Sequence, residues 1–158
     1  MLEEFHPVEV VGVRVEMPSN QPIILVKEVD GIRYLPIWVG AVEASAIAFA
    51  QQGMKPARPL THDLFMEALA LFDRGISSIH LTEIRDGIFY ATINFSDGSS
   101  LSARPSDALA LAIRGSVPIL AREKLLRDAG IEIPDQAEDE VEAFREFLDQ
   151  INPDDFAG

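Results

Sequence analysis

Three Asp-Gly dipeptides, Asp30-Gly31, Asp86-Gly87 and Asp97-Gly98, each separate two apolar, β-branched stretches. A two-residue hairpin turn needs positive φ at its centre, and Asp-Gly adopts that conformation at little cost. Such turns join antiparallel neighbours. A chain with three of them is therefore built from hairpins rather than from strict strand–helix–strand alternation.

The rest of the pattern agrees. Residues 8–16 alternate around Val11, Val13 and Val15, which marks a half-buried strand. Pro18 to Pro22 break it, residues 23–29 and 32–39 follow as two more strands, and together they form a β-meander. Residues 41–52 are rich in Ala and end at Gly53, a helix with a glycine stop. Ala41, Ser45 and Ala48 give this helix a small-residue face suited to close packing. A second helix runs from Thr61 as N-cap towards Gly75, with Leu64, Phe65, Ala68, Leu69 and Phe72 at helical spacing. Strands are expected over 76–84, 88–95, 101–103 and 117–120, and helices over 106–114 and 121–129. Residues 137–151 place Val141, Phe144, Phe147, Leu148 and Ile151 on one face of a further helix. The expected class is α+β: an antiparallel or mixed sheet built from hairpins, with inserted and flanking helices.

Charge divides the chain into two parts. Residues 132–158 hold ten acids and one base, Arg145, and so carry −9 of the net −13. The expectation is one domain over residues 1–131 and an acidic amphipathic helical tail over 132–158, a tail able to recruit a basic partner. A strongly acidic protein is repelled by nucleic-acid phosphates at long range, which argues against general nucleic-acid binding but leaves room for a local basic site. There is no cysteine, so disulfides, zinc-thiolate sites and thiol nucleophiles are excluded. The start of the chain is acidic and no apolar run is long enough to span a bilayer, so a cytoplasmic protein with no membrane partner is expected.

Two segments carry the candidate chemistry. Arg58-Pro59-Leu60-Thr61-His62-Asp63 opens one helix and Arg104-Pro105-Ser106-Asp107 opens another. Each places an Arg, a hydroxyl and an acid at a helix start, where free N–H groups and the positive end of the helix dipole favour an anion. Arg58 and Arg104 add planar donor forks, and Thr61 and Ser106 add hydroxyls, so these four are candidate phosphate-binding residues. The same residues also make ordinary caps: Thr61 and Ser106 as N-caps, Asp63 and Asp107 on the dipole, and each Arg on its nearby acid. His62, in the first turn, is a candidate base. Glu43, Asp63 and Asp107 supply three oxygen ligands from three helix starts, a donor set suited to Mg²⁺ or Mn²⁺. Trp38 reads as core or interface, and His80 as facing solvent or a polar neighbour. No glycine-rich phosphate loop is present, and no organic cofactor is expected.

Leu35-Pro36-Ile37-Trp38-Val39-Gly40 with Glu43-Ala44, then Arg58-Pro59-Leu60-Thr61-His62-Asp63-Leu64, then the run from Ala103 to Ala112 closely resemble, in order and spacing, the bifunctional nuclease domain family. The resemblance covers residues 6–131. It implies an α+β domain that is typically oligomeric, with a homodimer favoured here. From plant members of the family it also implies nuclease activity on RNA and DNA. The positions matching the family's motifs are Glu43, Arg58, Thr61, His62, Asp63, Arg104, Ser106 and Asp107. The family often carries an acid just before the Ala-Arg-Pro-Ser-Asp run, where this chain has Ser102, so one candidate carboxylate is missing. Two functions follow as expectations. One is a nuclease that uses these residues, assisted by a divalent metal. The other is a non-catalytic homo-oligomeric regulatory or interaction module.

Overall fold

A computed structural model describes residues 4–132. The expected helix over 137–151 and most of the acidic tail lie outside these residues. Eight strands form one mixed sheet in the order β6-β5-β4-β7-β1-β2-β3-β8. The meander comprises β1 (Phe5–Glu16), β2 (Gln21–Glu28) and β3 (Arg33–Trp38). The second hairpin group comprises β4 (Ile76–Arg85), β5 (Ile88–Phe95) and β6 (Ser100–Ala103). Every pair joined by an Asp-Gly turn is antiparallel, as the turns require. The parallel element is β7 (Ile119–Arg122), which lies against β4 and joins the two groups by pairing with β1. β8 (Ile131–Glu132) is a short edge on β3.

Two of the Asp-Gly turns follow the expected geometry. Asp86 and Gly87 have φ of 52° and 78°, and Gly98 has 89°. Asp30-Gly31 differs, because neither residue has positive φ. Its connection spans residues 29–32, and the Glu28 side chain folds back through it to accept hydrogen bonds from the Arg33 backbone N–H and guanidinium. Gly31 is small for that reason: a Cβ there would collide with the Glu28 carboxylate.

The core lies on one face of the sheet. Cross-strand partners Ile24 and Ile37, Val26 and Leu35, Ile79 and Ile93, and Leu81 and Ala91 are all buried there. Helix α3 (Pro105–Gly115) packs into this face with Ala108 to Ala112 buried, as its Ala and Leu content allows. α1 (Ala41–Gln51) packs on α3 and on β1 and β2, and α4 (Glu123–Ala129) adds Leu125 and Leu126 to the core. α2 (Thr61–Leu71) rests on α3 and has no fully buried residue. The inward face of α1 is Ala44 and Ile47, while Ala41 and Ser45 of the expected small-residue face are exposed. On α2, Phe65 and Met66 turn towards the core, while Leu64 and Phe72 remain exposed. α2 touches another helix rather than the sheet, so a narrow inward strip satisfies it.

The sheet also curls. Trp38 on β3 and Ile88 and Phe89 on β5 line one cavity, although four strands separate β3 from β5 in the sheet order. The start of α3 sits in the mouth that this curvature creates.

Candidate functional site

Pro105 occupies the first turn of α3, where its missing N–H costs nothing, and it holds the preceding Arg104 in an extended conformation at φ −67° and ψ 141°. The N-cap is therefore Arg104, not Ser106. Ser106 falls inside the helix and is buried. The start of α2 moves similarly. Leu60 is its N-cap, Thr61 is its first helical residue, and the capping acceptor is Asp63, whose Oδ2 takes the Leu60 N–H at 3.0 Å.

Four of the expected residues meet. Arg104 donates from Nε to Asp107 Oδ2 at 2.8 Å and from Nη2 to Oδ1 at 3.2 Å, a side-on fork. It also donates from Nη1 to Glu43 Oε1 at 3.1 Å. His62 Nε2 lies 3.1 Å from Asp107 Oδ1. Asp107 is thus the hub, with the imidazole from α2 on one side and the guanidinium bridging to α1 on the other. Burial pushes the Asp107 carboxyl up, but the hydrogen bonds from Arg104 and His62 outweigh it and hold the group below its ordinary value. Glu43 is held low first by its own backbone N–H and then by Arg104. Asp107 and Glu43 in turn raise Arg104, which stays charged.

The remaining expected residues stand elsewhere. Asp63 faces a different groove, beside Met54, Lys55 and Glu67, and its Oδ1 accepts from Arg114 Nε at 2.9 Å. Arg58 is exposed and forms no ion pair among the described residues, so the expected pairing of each Arg with its nearby acid is found for Arg104 alone. Thr61 lines the groove with His62 and Asp107. Trp38 is not core: it is 44% exposed at the end of β3. His80 is part-buried: its ring packs on Phe5 at 4.3 Å, and burial, then the nearby Arg122 charge, lower its pKa.

The expected three-acid metal site is not assembled by this arrangement. Arg104 lies between Glu43 and Asp107, and Asp63 is committed to Arg114 and Leu60. Among the described residues, one trio of His, Asp and Glu brings its ligand atoms within 4.8 Å of one another, and it is Glu4, His6 and Glu123. Glu123 there is already shared by Arg33 at 2.7 Å and Arg127 at 3.4 Å.

Two hollows flank the Arg104–Glu43 bridge. One, about 390 Å³, lies between α1 and α2 and is lined by Val42, Phe49, Leu60, His62 and Asp107. The other, about 370 Å³, is the mouth of the curled sheet, with Trp38, Ile88, Phe89 and Ser106. Arg104 and Glu43 line both.

Sequence reasoning missed Arg33, Glu28, Glu123 and Arg114. Arg33 takes both oxygens of Glu123 at 3.0 and 2.7 Å and both of Glu28 at 3.1 and 2.7 Å, tying the β2–β3 hairpin to α4. Ninety residues separate Arg33 from Glu123, so no local signal marks the pair.

The family description "Bifunctional nuclease domain" matches residues 24–134. Two Mycobacterium tuberculosis proteins, "Uncharacterized protein MT1877" and "Uncharacterized protein Rv1829" from different strains, are each 48% identical to the chain, over 94% of it and 96% of the relative. The chain is a member of the bifunctional nuclease domain family.

Proposed function

We propose that the protein hydrolyses phosphodiester bonds of RNA or DNA at the groove where His62, Asp107 and Arg104 meet. One observation carries the reading: a single carboxylate, Asp107, holds both an imidazole and a guanidinium. A carboxylate only accepts hydrogen bonds, so the His62 nitrogen facing it bears a proton, and the neutral ring then offers Nδ1 as a base. Water adds to phosphorus, its proton passes to His62, the P–O ester bond breaks, and the leaving oxygen takes a proton from solvent.

Arg104 supplies charge for the pentacoordinate phosphate. It has five N–H donors and spends three on Glu43 and Asp107, which leaves two on a side chain that is 63% exposed. The carboxylates fix the guanidinium plane without exhausting it. Thr61 lines the same groove, and Arg58 adds an exposed cation near the start of α2. No step is assigned to Mg²⁺ or Mn²⁺, because the carboxylates expected to hold the ion are engaged by arginines.

The test is incubation of the purified protein with single-stranded RNA and DNA, in Mg²⁺, Mn²⁺ or EDTA, beside His62→Ala. Cleavage by the wild type and its loss in the variant is the expected result. Equal cleavage by both sinks the reading.

A second reading rests on a separate observation. Val42 on α1 is 81% exposed, and Leu64, Leu71 and Phe72 on and after α2 are 57%, 78% and 72% exposed. Exposed apolar side chains on α1 and α2 suit self-association, and a homodimeric interaction module would use those of α2. Sedimentation of Leu71→Glu and Phe72→Glu against the wild type tests it: an unchanged mass refutes use of this face.

A further inference from the structure

The geometry points to the hollow at the mouth of the curled sheet as a nucleobase subsite. A base of a single-stranded nucleic acid would stack on Trp38 there, while its phosphate meets Arg104 and the start of α3. The inference rests on the hydrolytic reading for its choice of ligand, and it adds a site that the reaction chemistry does not itself require.

Three independent features converge on this hollow. The first is Trp38, an indole that stays 44% exposed against Ile88 and Phe89 from the far side of the sheet. A large ring left in contact with water beside other apolar side chains is a stacking platform that accepts any base, because every base has a π-face.

The second is Ser106. It is 6% exposed and it lines the hollow. Its hydroxyl can donate to or accept from a ligand group at the wall of the hollow. Ser106 also sits in the first turn of α3, and its own N–H is one of the helix-start donors left without an intrahelical acceptor.

The third is Arg104, whose guanidinium forms the wall shared with the groove that holds His62. Because Arg104 lines both hollows, the phosphate adjoining a base in this one comes within reach of its two unused N–H groups. At about 370 Å³ the hollow sits at the low end of the ~300–1,000 Å³ that small-ligand sites occupy, enough for a base and its sugar and too little for a duplex end.

Trp38 is the one tryptophan of the chain, so its fluorescence reports this hollow directly. The experiment titrates the full-length protein with a short oligouridylate or oligothymidylate, and with an abasic phosphodiester of the same length, under conditions where no cleavage occurs. The inference expects saturable quenching by the base-bearing oligomer, little by the abasic one, and binding weakened about tenfold in Trp38→Ala, within the ~1–3 kcal/mol that a stacked base contributes. Trp38→Phe should retain most of the affinity, and Ser106→Ala should weaken both oligomers alike. Matching far-UV spectra and unfolding midpoints confirm that the variants are folded. Equal binding of both oligomers without quenching overturns the base subsite. If the protein still cleaves nucleic acid, the hydrolytic reading survives that result. Failure to bind either oligomer, together with failure to cleave, overturns both.

Discussion

Replacing Asp63 separates two readings of the α2 start more sharply than any other single change. In the structure Asp63 is a brace. Its Oδ2 caps Leu60 N–H at 3.0 Å, and its Oδ1 takes Arg114 Nε at 2.9 Å. Loss of a helix N-terminal acceptor costs about 1 kcal/mol. Arg114 is only 10% exposed, so removing its acceptor strands a mostly buried cation, which costs ~3–5 kcal/mol when both partners are fully buried. Asp63 is itself 30% exposed and water partly replaces it, so about 1–2 kcal/mol is the fitting share. Asp63→Ala should therefore destabilise the fold by about 2–3 kcal/mol, and Asp63→Asn, which keeps an oxygen for only one of the two donors, by about 1–2 kcal/mol. Urea unfolding measures this. With a slope of ~1–3 kcal/mol/M the midpoint of Asp63→Ala should fall by roughly 1 M or more. A cycle with Arg114→Met should show the two losses overlapping rather than adding. At a temperature where Asp63→Asn remains folded, its cleavage rate should stay within about threefold of wild type, the reach of an indirect ~0.6 kcal/mol effect. An unchanged midpoint for Asp63→Ala would refute the brace, and an undiminished fold with abolished cleavage would return Asp63 to the chemistry.

Other outcomes follow from the same geometry. Arg33→Met should destabilise by about 3–5 kcal/mol in chemical unfolding, because it leaves Glu28 and Glu123 facing each other without their shared cation. Replacing Glu28, Arg33 and Glu123 together by apolar residues should recover much of that loss. Glu123 is lowered, chiefly by Arg33, from 4.5 to about 2, so its contribution is complete above pH 4.5 and disappears as pH falls towards 2. The stability gap between wild type and Glu123→Gln should close across that window, and a gap that persists at pH 2 would contradict the assignment. Gly87→Ala, at φ +78° in the β4–β5 turn, should cost about 1 kcal/mol, whereas Gly31→Ala should cost more because it displaces the Glu28 carboxylate.

The hairpins were legible because their signals are local. Asp86-Gly87 and Asp97-Gly98 fix turn and pairing within a few residues, and alternation fixes which face is buried. Asp30-Gly31 marked the correct connection for a different reason, since its glycine makes room for a side chain arriving from Glu28. The parallel contact of β7 with β4 had no local signature, because its paired residues, such as Ile79 and Ile119, lie forty positions apart. The orientation of α2 was not legible because burial there is shallow, and five apolar positions cannot say which of them face α3. The two Arg-Pro helix starts look alike in sequence, yet only the second delivers its arginine to the acids. Arg104 is held extended by Pro105 at the helix boundary, whereas Arg58 lies two residues before the N-cap of α2 and Arg114 takes the acid that Arg58 was expected to pair with. The exposure of Trp38 was hidden for the same kind of reason: it depends on the curvature that brings β5 round to β3.

The central claim is that one carboxylate, Asp107, organises a base and a phosphate clamp. It is tested most directly by comparing initial rates of cleavage of a single-stranded RNA and a single-stranded DNA by wild type, His62→Ala, Asp107→Asn and Asp63→Asn, each shown to be folded. His62→Ala should lose about 10²–10⁴-fold in rate, Asp107→Asn should fall with it, and Asp63→Asn should remain close to wild type. Rates that are indifferent to His62 and Asp107 while the protein still cleaves would place the chemistry elsewhere and contradict the account.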